Sequence, residues 1–304
     1  MKRILTLCIL LLLSAPGFCT DYYVTITGSN SNSGLSGSPW QTFDHAIASV
    51  PAGNHIIHLG TGNFTTSSRN SVAVGVSVEG AGYTLTTVTS TYVGSTWMDG
   101  TLVLQSGTLN TPGNQHVSGI TFDGSNFTAR TAIVIINRGG VTVYNCRFLN
   151  FSWGPAHFFG AAYEGYQQPS TWVTGNSFYN NIVTDCSSYS ATNQGLWFQG
   201  QDGFEMHDCS ITTTRATGTT SDMVAGNTNR NAKIYNNFVS RPGYILGKWA
   251  FAYEIRWNFG GMQFYNNITE GCLDLCWNYS EGQAYSWWVR TSTFGYNSIP
   301  ASMD

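Results

Sequence analysis

A carboxylate and a cation share one side of residues 249–258. The odd positions of this stretch are apolar or aromatic, so a β-strand would turn the even positions outward. These outward residues are Glu254, Arg256 and Asn258, and Lys248 comes just before them. β-Elimination from a uronic acid sugar needs one group that neutralises the substrate carboxylate and a Lys, Arg or Tyr that takes the neighbouring proton. Lys248, Glu254 and Arg256 are therefore the candidate catalytic group, and an exposed ion pair of little energetic value is the alternative.

Corresponding outward positions of the neighbouring segments carry side chains that could bind a substrate. They are Glu164, Trp197 with Gln199, Asp222, and either Asp274 or Glu281. Two apolar residues flank Trp197 and are expected to point inward, which leaves its indole free to stack on a sugar ring. Three carboxylates on one face could instead bind calcium, or pair as acid and base for glycoside hydrolysis. Spacing does not choose between these roles, and solvated surface positions are the alternative for each residue.

A phrase that recurs about once every thirty residues indicates the elements that carry these side chains. It runs from a polar bend into an apolar residue, and its copies are residues 144–148, 174–178, 207–211, 235–238, 265–268 and 296–299. Each unit is too short to bury its own apolar face, so stacked neighbours must cover it, as in a solenoid. Three short strands fit each unit. Asn suits the bend between the first two because it tolerates left-handed backbone angles, and stacked amides could hydrogen-bond between coils.

Two histidines fall near these elements. His207 lies within the polar bend, where a turn or stacking role is expected. His157 precedes a predicted third strand and could act as an acid or a base.

A short helix is predicted near the start of the mature chain. Phe43, Ala46, Ile47 and Val50 share one apolar face at helical spacing, and Pro51 stops the helix. Such a helix can plug the open end of a solenoid, whose first coil has no neighbour to cover it.

The opening of the chain also carries a set of recognisable phrases. They are Tyr22-Tyr23-Val24, the polar run 27–34, Ser38-Pro39-Trp40-Gln41-Thr42-Phe43, Pro51-Ala52-Gly53-Asn54 and His58-Leu59. This stretch resembles the cap and first coil of the right-handed parallel β-helix proteins, the pectate-lyase-like superfamily. It departs from them at Asn54, where that family mostly carries Asp, and at residues 60–64, where a Pro-Gly-Thr-Tyr phrase is common.

The resemblance implies an all-β fold, a right-handed three-sheet parallel β-helix (solenoid) with a short N-terminal capping helix. It also implies a groove along one sheet and a polysaccharide lyase or hydrolase activity. The sequence lacks the polygalacturonase phrases Asn-Thr-Asp, Asp-Asp, Gly-His-Gly and Arg-Ile-Lys, and also the pectate-lyase phrase Trp-Ile-Asp-His. The alternative is a non-catalytic surface adhesin or glycan-binding protein, which would use the same groove without acid–base chemistry.

Residues 1–19 have the pattern of a secretory signal peptide. Lys2 and Arg3 precede an apolar run at 4–13 that is too short to span a bilayer. We therefore expect an exported bacterial protein, secreted or on the cell surface, with one β-helix domain at 20–304 and no membrane span.

Without the signal the chain has 11 basic and 16 acidic residues, a net charge of −5, which disfavours nucleic acid as a partner.

Five cysteines remain in the mature chain, an odd number without the spacing of a disulfide framework. Cys146 and Cys209 fall at equivalent repeat positions and are expected in an internal stack, whereas Cys272 and Cys276 could pair or stay free. No second Cys/His pair stands at ligand spacing, so zinc is not expected.

The chain ends soon after the last phrase, so we expect a missing segment or a C-terminal partner to close the last coil.

Overall fold

Three parallel β-sheets wind around one axis in the computed structural model, which describes residues 19–160, 168–186, 195–214, 223–240, 251–270, 273–277 and 293–294. Each coil visits the first, second and third sheet in turn before the next coil begins. Strands of successive coils pair in parallel. The right-handed parallel β-helix expected from the resemblance is confirmed.

The strands of the described residues form three long sheets and one short pair. The first sheet contains β1 (Thr20–Val24), β2 (His55–Leu59), β5 (Val76–Gly80), β8 (Thr111–Ser118), β11 (Arg138–Tyr144), β15 (Ser177–Tyr179), β19 (Glu205–His207), β22 (Lys233–Tyr235), β25 (Gln263–Tyr265) and β28 (Thr293–Phe294). The second contains β3 (Gly62–Thr66), β6 (Thr86–Ser90), β9 (Thr121–Asp123), β12 (Arg147–Leu149), β16 (Ile182–Thr184), β20 (Ser210–Thr212), β23 (Phe238–Ser240) and β26 (Ile268–Glu270). The third contains β4 (Asn70–Ser71), β7 (Leu102–Gln105), β10 (Thr131–Ile136), β13 (Gly154–Phe159), β17 (Leu196–Gln199), β21 (Val224–Asn229), β24 (Phe251–Asn258) and β27 (Leu273–Trp277). A short separate pair joins β14 (Val173–Thr174) to β18 (Gln201–Asp202).

The predicted capping helix is confirmed as α1 (Phe43–Ser49). Thr42 caps its N-terminus by accepting a hydrogen bond from the backbone N–H of His45 at 3.3 Å. Phe43, Ala46 and Ile47 are buried against the first coil, so the helix covers the open end of the core. Across the described residues, no helix combines the length and the hydrophobicity that a bilayer span requires.

A residue with left-handed backbone angles makes the bend from the first sheet to the second in successive coils. These residues have φ between 52° and 56°, and they are Asn145, Asn180, Asp208, Asn236 and Asn266. The next residue points into the coil, where amides connect neighbouring coils. Asn237 Oδ1 accepts from the Cys209 N–H at 3.0 Å, and Asn267 Oδ1 accepts from the Asn237 N–H at 3.1 Å. The expected amide bonding from coil to coil is confirmed.

The predicted repeat register is wrong for one copy of the phrase. Residues 174–178 form the corner that enters the first sheet, and Tyr179 is the true partner of Tyr144. The corner that enters the first sheet and the corner that leaves it both combine a residue of left-handed backbone with an inward Asn, which explains the error. Gly175 has a φ of 74°, and Asn176 Oδ1 accepts from the Val141 N–H of the preceding coil at 2.8 Å.

The closing apolar residue of the phrase is also displaced by one position in two copies. Phe148 aligns with Val183, Ile211 and Val239 in the second sheet. Phe238 and Ile268 lie one position earlier, on the outer side.

Cys146 and Cys209 lie in the inner core, as predicted, with exposures of 0% and 3%. Burial raises the pKa of both thiols to about 12, so they act as small buried side chains rather than as reactive thiolates. The pairing suggested for Cys272 and Cys276 concerns side chains outside the described set.

Candidate active site on the third sheet

Two rows of side chains point outward from the third sheet. In register from coil to coil, the first row is Val103, Val134, His157, Trp197, Ala225 and Glu254. The second row is Gln105, Ile136, Phe159, Gln199, Asn227 and Arg256. The alternate residues, such as Phe198 and Ile255, fill the inner core. Glu254 and Arg256 therefore share the outer face with Trp197 and Gln199, as strand alternation predicts.

This outer face is covered rather than solvated, and here the expectation is wrong. Trp197 is 7% exposed, Glu254 4% and Asn258 3%. Part of the cover comes from residues 91–100, which connect β6 to β7. The Trp97 ring of this loop lies 4.9 Å from the Phe159 ring and 5.1 Å from the Trp197 ring. The indole of Trp197 is thus packed against aromatic rings and is not the open sugar platform that was expected.

Asp99 anchors the loop that carries Trp97. Its Oδ1 accepts from Arg69 Nε at 3.0 Å, and its Oδ2 accepts from the Tyr92 hydroxyl at 2.7 Å and from the Ser95 N–H at 3.1 Å. Burial alone would raise the pKa of Asp99, but these hydrogen bonds and the charge of Arg69 outweigh it, so the pKa lies below its ordinary value. The ionised carboxylate holds the loop over the third sheet.

We expect Asp99→Asn to destabilise the protein by about 1–3 kcal/mol at pH 7, because Tyr92, Ser95 and Arg69 lose a charged acceptor. The folded-state pKa is depressed, so the stabilisation is present above the unfolded value of about 3.9 and is lost as pH falls through the folded pKa. Urea unfolding at pH 7 and at about pH 3 measures this, and the difference between variant and wild type should shrink at the lower pH. Asp21→Asn, at a half-exposed carboxylate, is the control. A difference that is independent of pH would contradict the role given to Asp99.

His157 lies inside β13 rather than before it, and its ring is buried on the outer face. Its Nδ1 donates to the Trp97 carbonyl oxygen at 2.9 Å. This bond assigns the proton of the neutral ring to Nδ1 and leaves Nε2 as the acceptor atom. His157 therefore connects the covering loop to the aromatic half of the face.

Glu254 and Arg256 form a buried pair at the polar end of the face. Arg256 Nε donates to Glu254 Oε1 at 2.6 Å, and Arg256 Nη2 contacts the same oxygen. Glu254 Oε2 is buried and accepts no hydrogen bond from the described residues, and the same is true of Gln199 Oε1. An unpaired buried acceptor costs free energy, which is why such groups are rare and tend to mark functional sites. The pair is therefore not the exposed ion pair of the alternative interpretation.

Asn227 lies in register between Gln199 and Arg256. In the amide orientation that satisfies both of its groups, it accepts from Trp197 Nε1 at 3.3 Å and donates to the Gly226 carbonyl at 3.2 Å. We call Trp197, Gln199, Asn227, Glu254 and Arg256 the Glu254 site. Nothing in the sequence beyond the alternation of β21 singles out Asn227.

Three predicted site residues, Lys248, Glu164 and Asp222, lie outside the described residues, as does Glu281. Asp274 belongs to β27, whose side chains are also outside the described set. Calcium gains no support from the described part of the chain, where no three His, Cys, Asp or Glu side chains stand close enough to hold a metal ion.

Known structures share this fold. A carrot pectin methylesterase matches with a TM-score of 0.56 at 14% identity, over 93% of this chain and 83% of that chain. The pectate lyase Pel9A matches with 0.51 at 14% identity, over 95% and 78% of the two chains. XylC, in a complex with xylose, matches with 0.56 at 8% identity over 84% of this chain, which spans 63% of XylC. No protein-family model and no curated protein sequence matches the chain. At these identities the likeness establishes the parallel β-helix fold.

Proposed function

We propose that the protein acts on a polysaccharide at the Glu254 site, on the outer face of the third sheet, as a lyase or a hydrolase. One observation carries the proposal: Arg256 holds Glu254 Oε1, while the buried Oε2 has no donor among the described residues. Fixing one carboxylate oxygen also fixes the direction of the other. Oε2 is thereby poised to receive a proton or a hydrogen bond from a substrate.

Elimination is the reaction that the described side chains can supply on their own. Hydrolysis needs two carboxylates about 5–9 Å apart; β24 carries Glu254, and the next acidic residue on this sheet is Asp274 of the neighbouring β27, whose side chain is outside the described set. Elimination needs one proton acceptor and one cation. The acceptor removes the proton beside the uronate carboxylate, a C=C bond forms, and the glycosidic oxygen leaves and takes up a proton.

In this proposal Glu254 Oε2 takes the proton and Arg256 neutralises the uronate. The Arg256 side chain is 24% exposed and carries the positive charge that a substrate carboxylate would require. Lys248, from the segment just before β24, is a second candidate for the proton acceptor. Gln199 Oε1 would accept from a sugar hydroxyl. The predicted signal at 1–19 would deliver the protein to substrates outside the cell.

The proposal is tested by incubating the purified mature protein with a panel of acidic and neutral polysaccharides. Ultraviolet absorbance reports unsaturated uronates, and a reducing-end assay reports chain cleavage of either kind. A lyase raises both signals on an acidic glycan, whereas a hydrolase raises reducing ends alone. A folded protein that leaves every glycan intact would contradict the catalytic proposal, and retention on a glycan without cleavage would then support the binding protein.

A further inference from the structure

A continuous ladder of aromatic rings runs along the outer face of the first sheet, away from the Glu254 site. The rings belong to residues at the end of β11, β15, β19, β22 and β25, and they are Tyr144, Tyr179, His207, Tyr235 and Tyr265. Successive centroids lie 5.2, 4.8, 4.8 and 5.0 Å apart, with interplanar angles of 11°, 3°, 6° and 3°. We call these five residues the ring ladder.

The rings stack at the spacing of the strands that carry them. Parallel strands lie about 4.8 Å apart, and this spacing sets the distance between the ring centroids. Planes in van der Waals contact need only about 3.5–4 Å, so the centroid distances leave room for neighbouring rings to be offset. Offset stacking of this kind is also the favoured arrangement of aromatic pairs. All five side chains are half-buried, so the ladder exposes part of each ring to solvent along five successive coils.

A second row of polar side chains runs beside the ladder, two residues earlier in each strand. It consists of Thr142, Ser177, Glu205, Lys233 and Gln263. Lys233 Nζ donates to Glu205 Oε1 at 2.6 Å, and this hydrogen bond and the carboxylate charge raise the pKa of Lys233. The two charges cancel, and Asp208 Oδ2 lies 2.7 Å from His207 Nδ1. The described part of this surface therefore has no excess of positive charge.

We propose that the ring ladder and this polar row bind an uncharged, extended polysaccharide that lies along the β-helix axis. Each coil offers the same contacts: an aromatic ring for the apolar face of a sugar ring, and, for its hydroxyls, the polar side chain of the second row together with the phenol oxygen where the ring belongs to Tyr. Five successive coils span about 20 Å at the strand spacing, which accommodates several sugar residues in a row. Contacts that are weak singly give a higher overall affinity when they repeat along one polymer, because the first contact raises the effective concentration of the sugars at the others. The surface is independent of the activity proposed for the Glu254 site and lies on a different sheet.

The charge balance decides the class of glycan. A polyuronate would bring one negative charge per sugar to a surface where Glu205 and Asp208 already stand and where Lys233 is paired. An uncharged glycan meets no such repulsion, and the hydroxyls of Thr142 and Ser177 can both donate to it and accept from it.

Affinity electrophoresis of the mature protein tests the proposal, with β-glucan, xylan or galactan in the gel and polygalacturonate in a parallel gel. We expect at least one neutral glycan to retard the wild type more than polygalacturonate does. The double variant Tyr179→Leu/Tyr235→Leu removes two rings from the middle of the ladder and should weaken binding about tenfold or more. Tyr83→Leu, which changes a half-buried tyrosine outside the ladder, is the matched control and should migrate as the wild type does.

A second double variant separates binding from a purely structural stack. Tyr179→Phe/Tyr235→Phe keeps both rings stacked and removes only the hydroxyls, so its thermal unfolding should match the wild type while its affinity falls about fivefold. This variant also decides the matter should the leucine variant fail to fold. No retardation by any neutral glycan, retardation by polygalacturonate alone, or unchanged affinity in the phenylalanine variant would each overturn the proposal. Absence of turnover in the glycan panel would remove only the proposed function, because retardation is measured without catalysis.

Discussion

Replacing Glu254 by Gln is expected to lower turnover of the polysaccharide that the panel identifies by about 10²–10⁴-fold, the usual contribution of a positioned general base. Gln has nearly the same shape as Glu, so the outer face of β24 should keep its packing. Its amide oxygen can still accept from Arg256, but the amide nitrogen in place of Oε2 cannot take a proton. The loss should therefore appear in kcat, with a much smaller change in KM.

The control for this variant is Glu79→Gln. Glu79 also pairs with a nitrogen base, since its Oε1 lies 2.6 Å from His116 Nε2, but it belongs to the first sheet near the cap. We expect Glu79→Gln to leave turnover unchanged. Turnover of Glu254→Gln within about threefold of the wild type would remove Glu254 from the chemistry and shift attention to Lys248.

Arg256 should contribute differently from Glu254. Arg256→Lys keeps a positive charge but loses the planar fork that both holds Glu254 Oε1 and meets a uronate. The variant should therefore raise KM as well as lower kcat, which distinguishes a substrate-binding cation from a residue that only orients its neighbour.

The direction of each side chain on the third sheet follows from the sequence, whereas its burial does not. Strand alternation places Tyr253 and Ile255 inward and Glu254 outward, and the structure agrees. Strand alternation carries no information about what lies over the outer face. That cover depends on loops such as residues 91–100, whose path is set by contacts like those of Asp99 with Arg69 and Tyr92. An outward residue was therefore expected to be solvated and is buried instead.

The sequence contains a signal for the ring ladder, a Tyr or His before each polar bend, but a wrong register for one copy of the repeat phrase hides it. Tyr or His precedes the polar bend at residues 144, 207, 235 and 265, so four of the five rings stand at the start of a phrase. Tyr179 is missing from this series when residues 174–178 are taken as the phrase of that coil. Two different corners of the coil use an Asn and a left-handed residue, so sequence chemistry alone does not separate them, whereas the pairing of Tyr179 with Tyr144 does.

Arg138→Met is expected to cause a large loss of stability. Arg138 is 1% exposed and begins β11 at the corner between the third and first sheets. Its Nη1 donates to the Val72 carbonyl and to Gln115 Oε1, both at 3.0 Å, and its Nε donates to Ser106 Oγ at 3.0 Å. Burial lowers the pKa of Arg138 to about 10, so the guanidinium is still charged at neutral pH.

Met would fill most of the volume but would donate nothing, leaving the Val72 carbonyl and Gln115 Oε1 buried without a donor. Val72 follows β4, Ser106 follows β7 and Gln115 belongs to β8, so this one side chain joins successive coils. We therefore expect a loss of about 3–5 kcal/mol in the free energy of unfolding by urea. Arg147→Met, at an exposed arginine on the outer face of the second sheet, should change stability by less than about 0.5 kcal/mol. Equal midpoints for the two variants would mean that the buried guanidinium is dispensable and that stacking of the apolar core alone holds these coils together.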